Sequence, residues 1–489
     1  MLFNSYIFIF LFFPLTLIGY FGLSYARKYN AALTFLVGMS LWFYGYNNIY
    51  YLVILIVSII LNYGIANRMR CLKAGRMRRF VMLAGVFLNI GILLYFKYYD
   101  FFIENINAAL KAELPLLKLA LPLGISFYTF QQLSYVIDVY RDECESYSFL
   151  EYAAYVSYFP QLVAGPIVYH SELIPQFRDP AKRRINFDNL SKGLYAFALG
   201  LAKKVLIADT FSKIVTVGYG NISDLNTPSV ILVMVCYSLQ IYFDFSGYCD
   251  MAIGIGKMFN VELPDNFISP YHAASVKEFW RRWHITLGRF FTTYVYIPLG
   301  GNRGSKCKTF RNTMIVFLLS GLWHGANWTF VFWGFLHGIG VSFTNFFGGK
   351  TCGKWKRKFY QVVTFIYVCF AFVFFRSDSM AQGIEFFKRM FSFTHFRSLY
   401  VVAESMTVSE TYMITKLLSM KAPQYLPTVN LITLLLVMGI SLFIITRKNT
   451  RTIVEHSKYS LGFALKLSVV FVWAVLSLSG VTTFLYFNF

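Results

Sequence analysis

The chain has 489 residues, 57% hydrophobic, 20% aromatic and only 14% charged, against about 25% charged in an ordinary soluble domain. Its 45 Lys and Arg against 23 Asp and Glu leave a net charge of +22, yet no basic, solvated domain exists to bind nucleic acid. Basic residues set between apolar runs match the positive-inside rule and attraction to anionic headgroups, so membrane lipids are the expected surroundings.

A spanning helix needs about 20 mainly apolar residues. In chain order, runs that meet or approach this lie near 4–25, 31–46, 49–66, 80–102, 117–139, 190–217, 229–258, 310–346, 358–376, 429–446 and 462–488. The fold class is therefore all-α: a polytopic membrane protein of roughly eleven spans. No polar linker interrupts it, so a single membrane domain, 1–489, is expected. The stretch Tyr6 to Tyr25 follows no basic region and is expected to be retained rather than cleaved. Ala31 to Phe43 is short, and Tyr46-Asn47-Asn48 turns the chain back. The run 310–346 is too long for one straight helix and contains several glycines. Broken or re-entrant helices are tolerated only where protein or a watery cavity surrounds them, which points to an interior cavity.

Loop charge orients the chain. Arg68, Arg70, Lys73, Arg76, Arg78 and Arg79 crowd one loop without an acid, which places it in the cytoplasm. Arg27-Lys28, Lys182-Arg183-Arg184, Lys354 to Lys358 and Arg447-Lys448 fit the same side, so the N-terminus starts outside. Asn221 to Pro228 and the polar stretch 394–428 face out. The seven cysteines are scattered, with no C-x-x-C, so neither a disulfide framework nor a metal site is expected. Walker, zincin and nucleophile-elbow motifs are absent from the sequence.

Ionisable residues within apolar segments are costly and are functional candidates. Two histidines stand out, His284 in Phe279-Trp280-Arg281-Arg282-Trp283-His284 and His324 in Gly321-Leu322-Trp323-His324-Gly325-Ala326-Asn327-Trp328. If 310–335 is one helix, Asn327 and Trp328 share the His324 face, and the Asn327 amide can orient the imidazole or hold a substrate oxygen. Gly321 and Gly325 let a backbone or a substrate approach. A buried histidine satisfied by a neighbouring helix explains the same residues, as an interfacial anchor segment explains His284. His337 falls about 220° around the helix from His324 and is set aside. His170, His272, His395 and His456 read as solvated loop residues. Asp244 and Asp250 are too far apart around a helix to form an acid–base pair, and Asp244 is expected to pair with a buried Arg or to line a cavity.

These segments resemble a known family. Trp283-His284, Tyr296-Ile297-Pro298-Leu299-Gly300-Gly301-Asn302-Arg303 and Gly321-Leu322-Trp323-His324-Gly325-Ala326 look like signatures of the membrane-bound O-acyltransferase superfamily, in its alginate O-acetyltransferase-like branch. Phe159 to Ile167, Gly200 to Val205, the Asp244 segment, Phe3-Asn4-Ser5 and the terminal Tyr486-Phe487-Asn488-Phe489 also fit, so the resemblance spans the chain. It departs from the branch at Thr292-Thr293, where an Arg-Asp pair is usual, and at Tyr169, where a basic residue is usual.

The resemblance implies helices around a central tunnel. An acyl thioester such as acetyl-CoA is used from the cytoplasm, and the acetyl group leaves toward the other side. It implies His324 as the catalytic histidine and His284 as a second one; a histidine's ordinary pKa suits His324 to act as base, with Trp323, Asn327 and Asp244 as candidate supporting residues. Lys203 and Lys204 are candidates for the donor's phosphates, with headgroup anchoring as the alternative. It also implies an extracytoplasmic SGNH-hydrolase-like acetyltransferase as partner and a polysaccharide as final acceptor, in the bacterial plasma membrane. D-alanyl transfer to teichoic acid is the nearest alternative chemistry, which the Ile297 to Arg303 run and the long C-terminal extension disfavour. A polysaccharide-precursor transporter would show interrupted helices in two matching repeats, and the sequence shows no such symmetry. A purely structural export subunit would not need His324.

Overall fold

The computed structural model describes all residues except 349–352, 394–396, 407, 479–483 and 486–489. His395, Cys352 and the terminal Tyr486-Phe487-Asn488-Phe489 run lie outside the described residues. Within them the chain is helical, and the single β-type pairing is an isolated antiparallel bridge between Phe267 and Trp283.

Seven helices among the described residues are long and apolar enough to cross a membrane: Phe8–Tyr25, Ile49–Arg70, Arg76–Leu110, Thr227–Met258, Trp328–Phe347, Lys354–Arg376 and Pro423–Ile445. Each coincides with one of the eleven apolar runs. The other four runs are shorter or interrupted. Tyr29–Gly45 and Leu461–Leu476 are short helices, and 117–139 becomes helical only from Ile125. The run 190–217 is wound through a π-helical turn at Lys203–Ala208. Thr227–Met258 is 89% buried within the protein, against 17% for Arg76–Leu110 and Pro423–Ile445. The first is a core element, whereas the other two offer most of their surface to lipid.

Contacts divide the chain into two compact units. The first comprises Met1–Phe197 and Tyr248–Asp265. Here the N-terminal amine donates to the Phe43 carbonyl at 3.0 Å, and Phe3 lies among Phe8, Phe43 and Tyr248. Arg78, from the basic loop, is nine-tenths buried and forks onto Asp142 and the Val139 carbonyl. His170 is not the solvated loop residue the sequence suggested. It is 1% exposed, with Nε2 3.1 Å from Asp138 and Nδ1 3.1 Å from the Tyr147 hydroxyl. His272 is half-buried in a 3-10 turn of the second unit, and His456 is exposed.

The second unit comprises Ala198–Gly247 and Asn266–Leu485. Its core is unusually aromatic: Tyr237, Trp283, Trp333, Phe372 and Phe375 are all but inaccessible. The chain from 310 to 347 is two helices, Lys306–His324 and Trp328–Phe347. They pack along their length because Gly321 and Gly334 carry no side chain. A Cβ at Gly321 would collide with the Phe330 carbonyl, and one at Gly334 with the Phe317 carbonyl. What approaches Gly321 is thus another backbone.

Candidate active site

His324 is the last residue of the helix Lys306–His324 and is 2% exposed. The chain leaves the helix through Gly325 and restarts at Trp328. Asn327 caps the new helix, its side-chain oxygen accepting from the Thr329 amide at 3.0 Å and its amide donating to the Asp378 carbonyl at 2.9 Å. This corrects the expectation that Asn327 shares a helical face with His324. The helix breaks between them, and the Asn327 side chain is committed to the cap. Trp328 is exposed, on a different helix.

Aromatic rings surround His324. Trp333 meets it edge-on at a centroid distance of 5.0 Å, Phe375 at 5.2 Å and Trp323 at 5.0 Å. His284 lies 6.2 Å from it, ring to ring, and Trp323 packs on His284 as well, at 5.9 Å. The two sequence-predicted histidines and Trp323 therefore form one cluster. A Cβ at Gly325 would strike the Phe330 ring, which leans on Phe375, so this glycine keeps the His324 wall closed.

His284 is fully buried and packs against Phe245 at 4.9 Å. Desolvation lowers its imidazole to about 3, so the ring is neutral near pH 7. It sits between the short helices Val276–Trp280 and Ile285–Phe291, with φ +46° and ψ 50°. That left-handed conformation is uncommon away from glycine and is held here by its surroundings. The Ile285 amide donates to the Asn266 carbonyl at 3.1 Å, and the Ile268 amide to the Arg282 carbonyl at 3.0 Å. The segment 266–268 thus clamps 282–285. Asn266 then closes the clamp through its side chain, whose Oδ1 lies 3.1 Å from His284 Nδ1, 3.2 Å from the Thr286 amide and 3.0 Å from the Thr286 hydroxyl. Asn266 and Thr286 were not legible as site residues. Asn266 follows Pro264-Asp265 and reads as a turn, and no periodicity links it to His284.

His337 also differs from expectation. It shares no helix with His324, but both rings flank Trp333, His337 at 4.7 Å. The Trp280 indole donates to His337 Nδ1 at 3.1 Å, so the proton of a neutral His337 rests on Nε2.

Asp244 pairs with a lysine rather than an arginine. Lys204 is 2% exposed, and its ammonium contacts Asp244 and Asp209 at 2.5 and 2.9 Å. The π-helical turn Lys203–Ala208 supports this, because its wider winding ends with the Asp209 amide on the Lys204 carbonyl. The Leu485 amide donates to the second Asp244 oxygen at 2.9 Å, and the Phe484 ring lies 4.7 Å from the ammonium. Lys204 is thus held inside the protein between two carboxylates; Lys203 is half-buried on the same turn. Among the described residues no group of three or more His, Cys, Asp or Glu is placed to hold a metal ion.

Residues 6–382 match the profile of the membrane-bound O-acyltransferase (MBOAT) family. The chain is 41% identical to a peptidoglycan O-acetyltransferase of Helicobacter pylori, over 80% of each chain. It is 38% identical to a probable alginate O-acetylase of Azotobacter vinelandii, over 80% of this chain and 78% of that one. A teichoic acid D-alanyltransferase of Bacillus subtilis is 26% identical, over 52% of this chain and 68% of its own. With its apolar helices and buried pair of histidines, the chain belongs to the membrane-bound O-acyltransferase family and is a multi-pass membrane acyltransferase.

Proposed function

We propose that this enzyme takes an acetyl group from a cytoplasmic thioester, acetyl-CoA, and passes it across the bacterial plasma membrane for O-acetylation of an extracytoplasmic polysaccharide. The whole chain, 1–489, acts as one catalytic domain. The observation that carries the reading is the buried His324–His284 pair inside a wall of tryptophan and phenylalanine. Relatives that share 80% of the chain act on peptidoglycan and alginate, which supports acetyl as the group and polysaccharide as the acceptor.

Thioester-to-hydroxyl transfer needs a base for the hydroxyl proton and a dry site. His324 takes that proton as the hydroxyl oxygen attacks the thioester carbonyl. The carbon–sulfur bond breaks, and the thiol leaves toward the cytoplasm. The aromatic wall excludes the water that would otherwise hydrolyse the thioester. The hydroxyl belongs to an extracytoplasmic SGNH-hydrolase-like acetyltransferase, which hands the acetyl group to the polymer. D-alanyl transfer is less well supported, since that relative matches about half of the chain.

The test is reconstitution in liposomes with acetyl-CoA inside and polymer outside. Acetylated polymer is expected only when the outer partner is added. Efficient acetylation without it removes the relay from the proposal, and no acetyl transfer in either case removes the donor.

A further inference from the structure

The thioester chemistry proposed above leaves the second histidine without a defined role, and the clamp around it supplies one. The Thr286 backbone N–H donates to the Asn266 side-chain atom 3.2 Å away, and an amide N–H can only donate. That atom is therefore the oxygen, and the Thr286 hydroxyl donates to it as well. An oxygen in this setting can only accept from His284 Nδ1 at 3.1 Å. The proton of the neutral imidazole is on Nδ1, and Nε2 carries the lone pair. The same logic assigns His337 the opposite tautomer, since the Trp280 indole must donate to its Nδ1. The cluster is thus not uniform. One histidine is built to accept at Nε2 and another to donate there.

We infer that Asn266 is a positioning residue for acyl transfer. By locking the His284 tautomer it puts a lone pair rather than an N–H on the ring next to His324, so that when His324 takes the hydroxyl's single proton the resulting imidazolium has a hydrogen-bond acceptor beside it. Three features of the structure converge on this. The left-handed backbone at His284 is held against its own cost. The loop 266–268 is pinned to 282–285 by backbone bonds independent of the side chains. The rings packed on His284 include Phe245, Trp323 and His324, which brings the two imidazoles side by side. The inference rests on the acyl-transfer reading for what the lone pair does, but the tautomer itself is independent of it.

Two variants separate positioning from mere packing. Asn266→Leu removes the acceptor, and kcat is expected to fall by roughly 10²-fold or more while the KM for acetyl-CoA stays within about twofold, as for loss of a group acting on the hydroxyl. Asn266→Asp keeps the acceptor and adds a charge next to Nδ1. It should retain turnover within about tenfold of wild type, because the carboxylate still accepts from Nδ1. An Asn266→Asp enzyme as impaired as Asn266→Leu, or an Asn266→Leu enzyme with wild-type kcat, overturns the inference. If Asn266→Leu does not fold, Asn266→Asp and the tautomer measurement below decide it. The tautomer is read without turnover by ¹⁵N NMR of histidine-labelled protein, with His284 assigned from a His284→Gln sample. An Nε2-protonated His284 in wild type overturns the inference whatever group the enzyme moves. An Nδ1-protonated ring in a protein that transfers nothing from acetyl-CoA upholds the tautomer and removes the parent reading instead.

Discussion

The imidazoles of His284 and His324 lie 6.2 Å apart, ring centre to ring centre, with the Trp323 indole packed on both. The two rings reach this arrangement by different local devices. His324 ends a helix that Gly321 allows against its neighbour, and His284 occupies a left-handed turn clamped by Asn266.

Replacing His284 should damage the reaction less completely than replacing His324. His284→Ala should lower kcat by roughly 10²–10⁴-fold, the usual contribution of a group positioning or moving a proton. Steady-state kinetics on purified protein check it. A His284→Ala enzyme with wild-type kcat would make this residue structural.

Asn327→Ala should cost stability rather than chemistry. Removing an N-cap side chain destabilises by about 1 kcal/mol, here at the start of Trp328–Phe347. Thermal unfolding in detergent should shift downward while turnover per folded molecule stays near wild type. A collapse in turnover at unchanged stability would return Asn327 to the reaction.

Lys204→Met should destabilise the protein strongly, by about 3–5 kcal/mol, because it leaves buried carboxylate charge uncompensated. Adding Asp244→Asn should recover part of that loss. The KM for acetyl-CoA should not be the parameter that responds, and a folded Lys204→Met protein with a KM raised tenfold or more would restore a donor-phosphate role.

The Glu151–Arg178 pair predicts a pH dependence of stability. The Arg178 guanidinium, with the Ser148 cap, lowers Glu151 to about 2. A depressed carboxylate contributes stability that is complete above its unfolded value and disappears as pH falls through the folded one. The difference in unfolding temperature between wild type and Glu151→Gln should therefore be steady near neutral pH and shrink between about pH 4.5 and pH 2. A difference that grows on acidification would reverse the sign.

Much of the fold was legible because lipid imposes it. Six of the eleven apolar runs are single long helices among the described residues, and the glycine-rich run 310–346 broke where its length required. The histidine pair was legible because ionisable groups are rare in such company. What stayed hidden depends on pairing across sequence. Lys204 beside Lys203 looks like a headgroup anchor until Asp244, forty residues on, is seen to face it. His170 looks like a loop residue until Asp138 and Tyr147 close over it. Asn266 lies eighteen residues from His284 in an irregular segment with no period to betray it. Asn327 was misread because one helix was assumed where Gly325 ends the first and Asn327 starts the second.

The most direct test is transfer of labelled acetyl from acetyl-CoA by purified wild type and His324→Gln proteins, matched for folded content in the same membrane. Wild type should label its outer partner, and His324→Gln should not label it above background while remaining membrane-inserted and monodisperse. Equal labelling by the two proteins would contradict the assignment of His324 as the base at the centre of this enzyme.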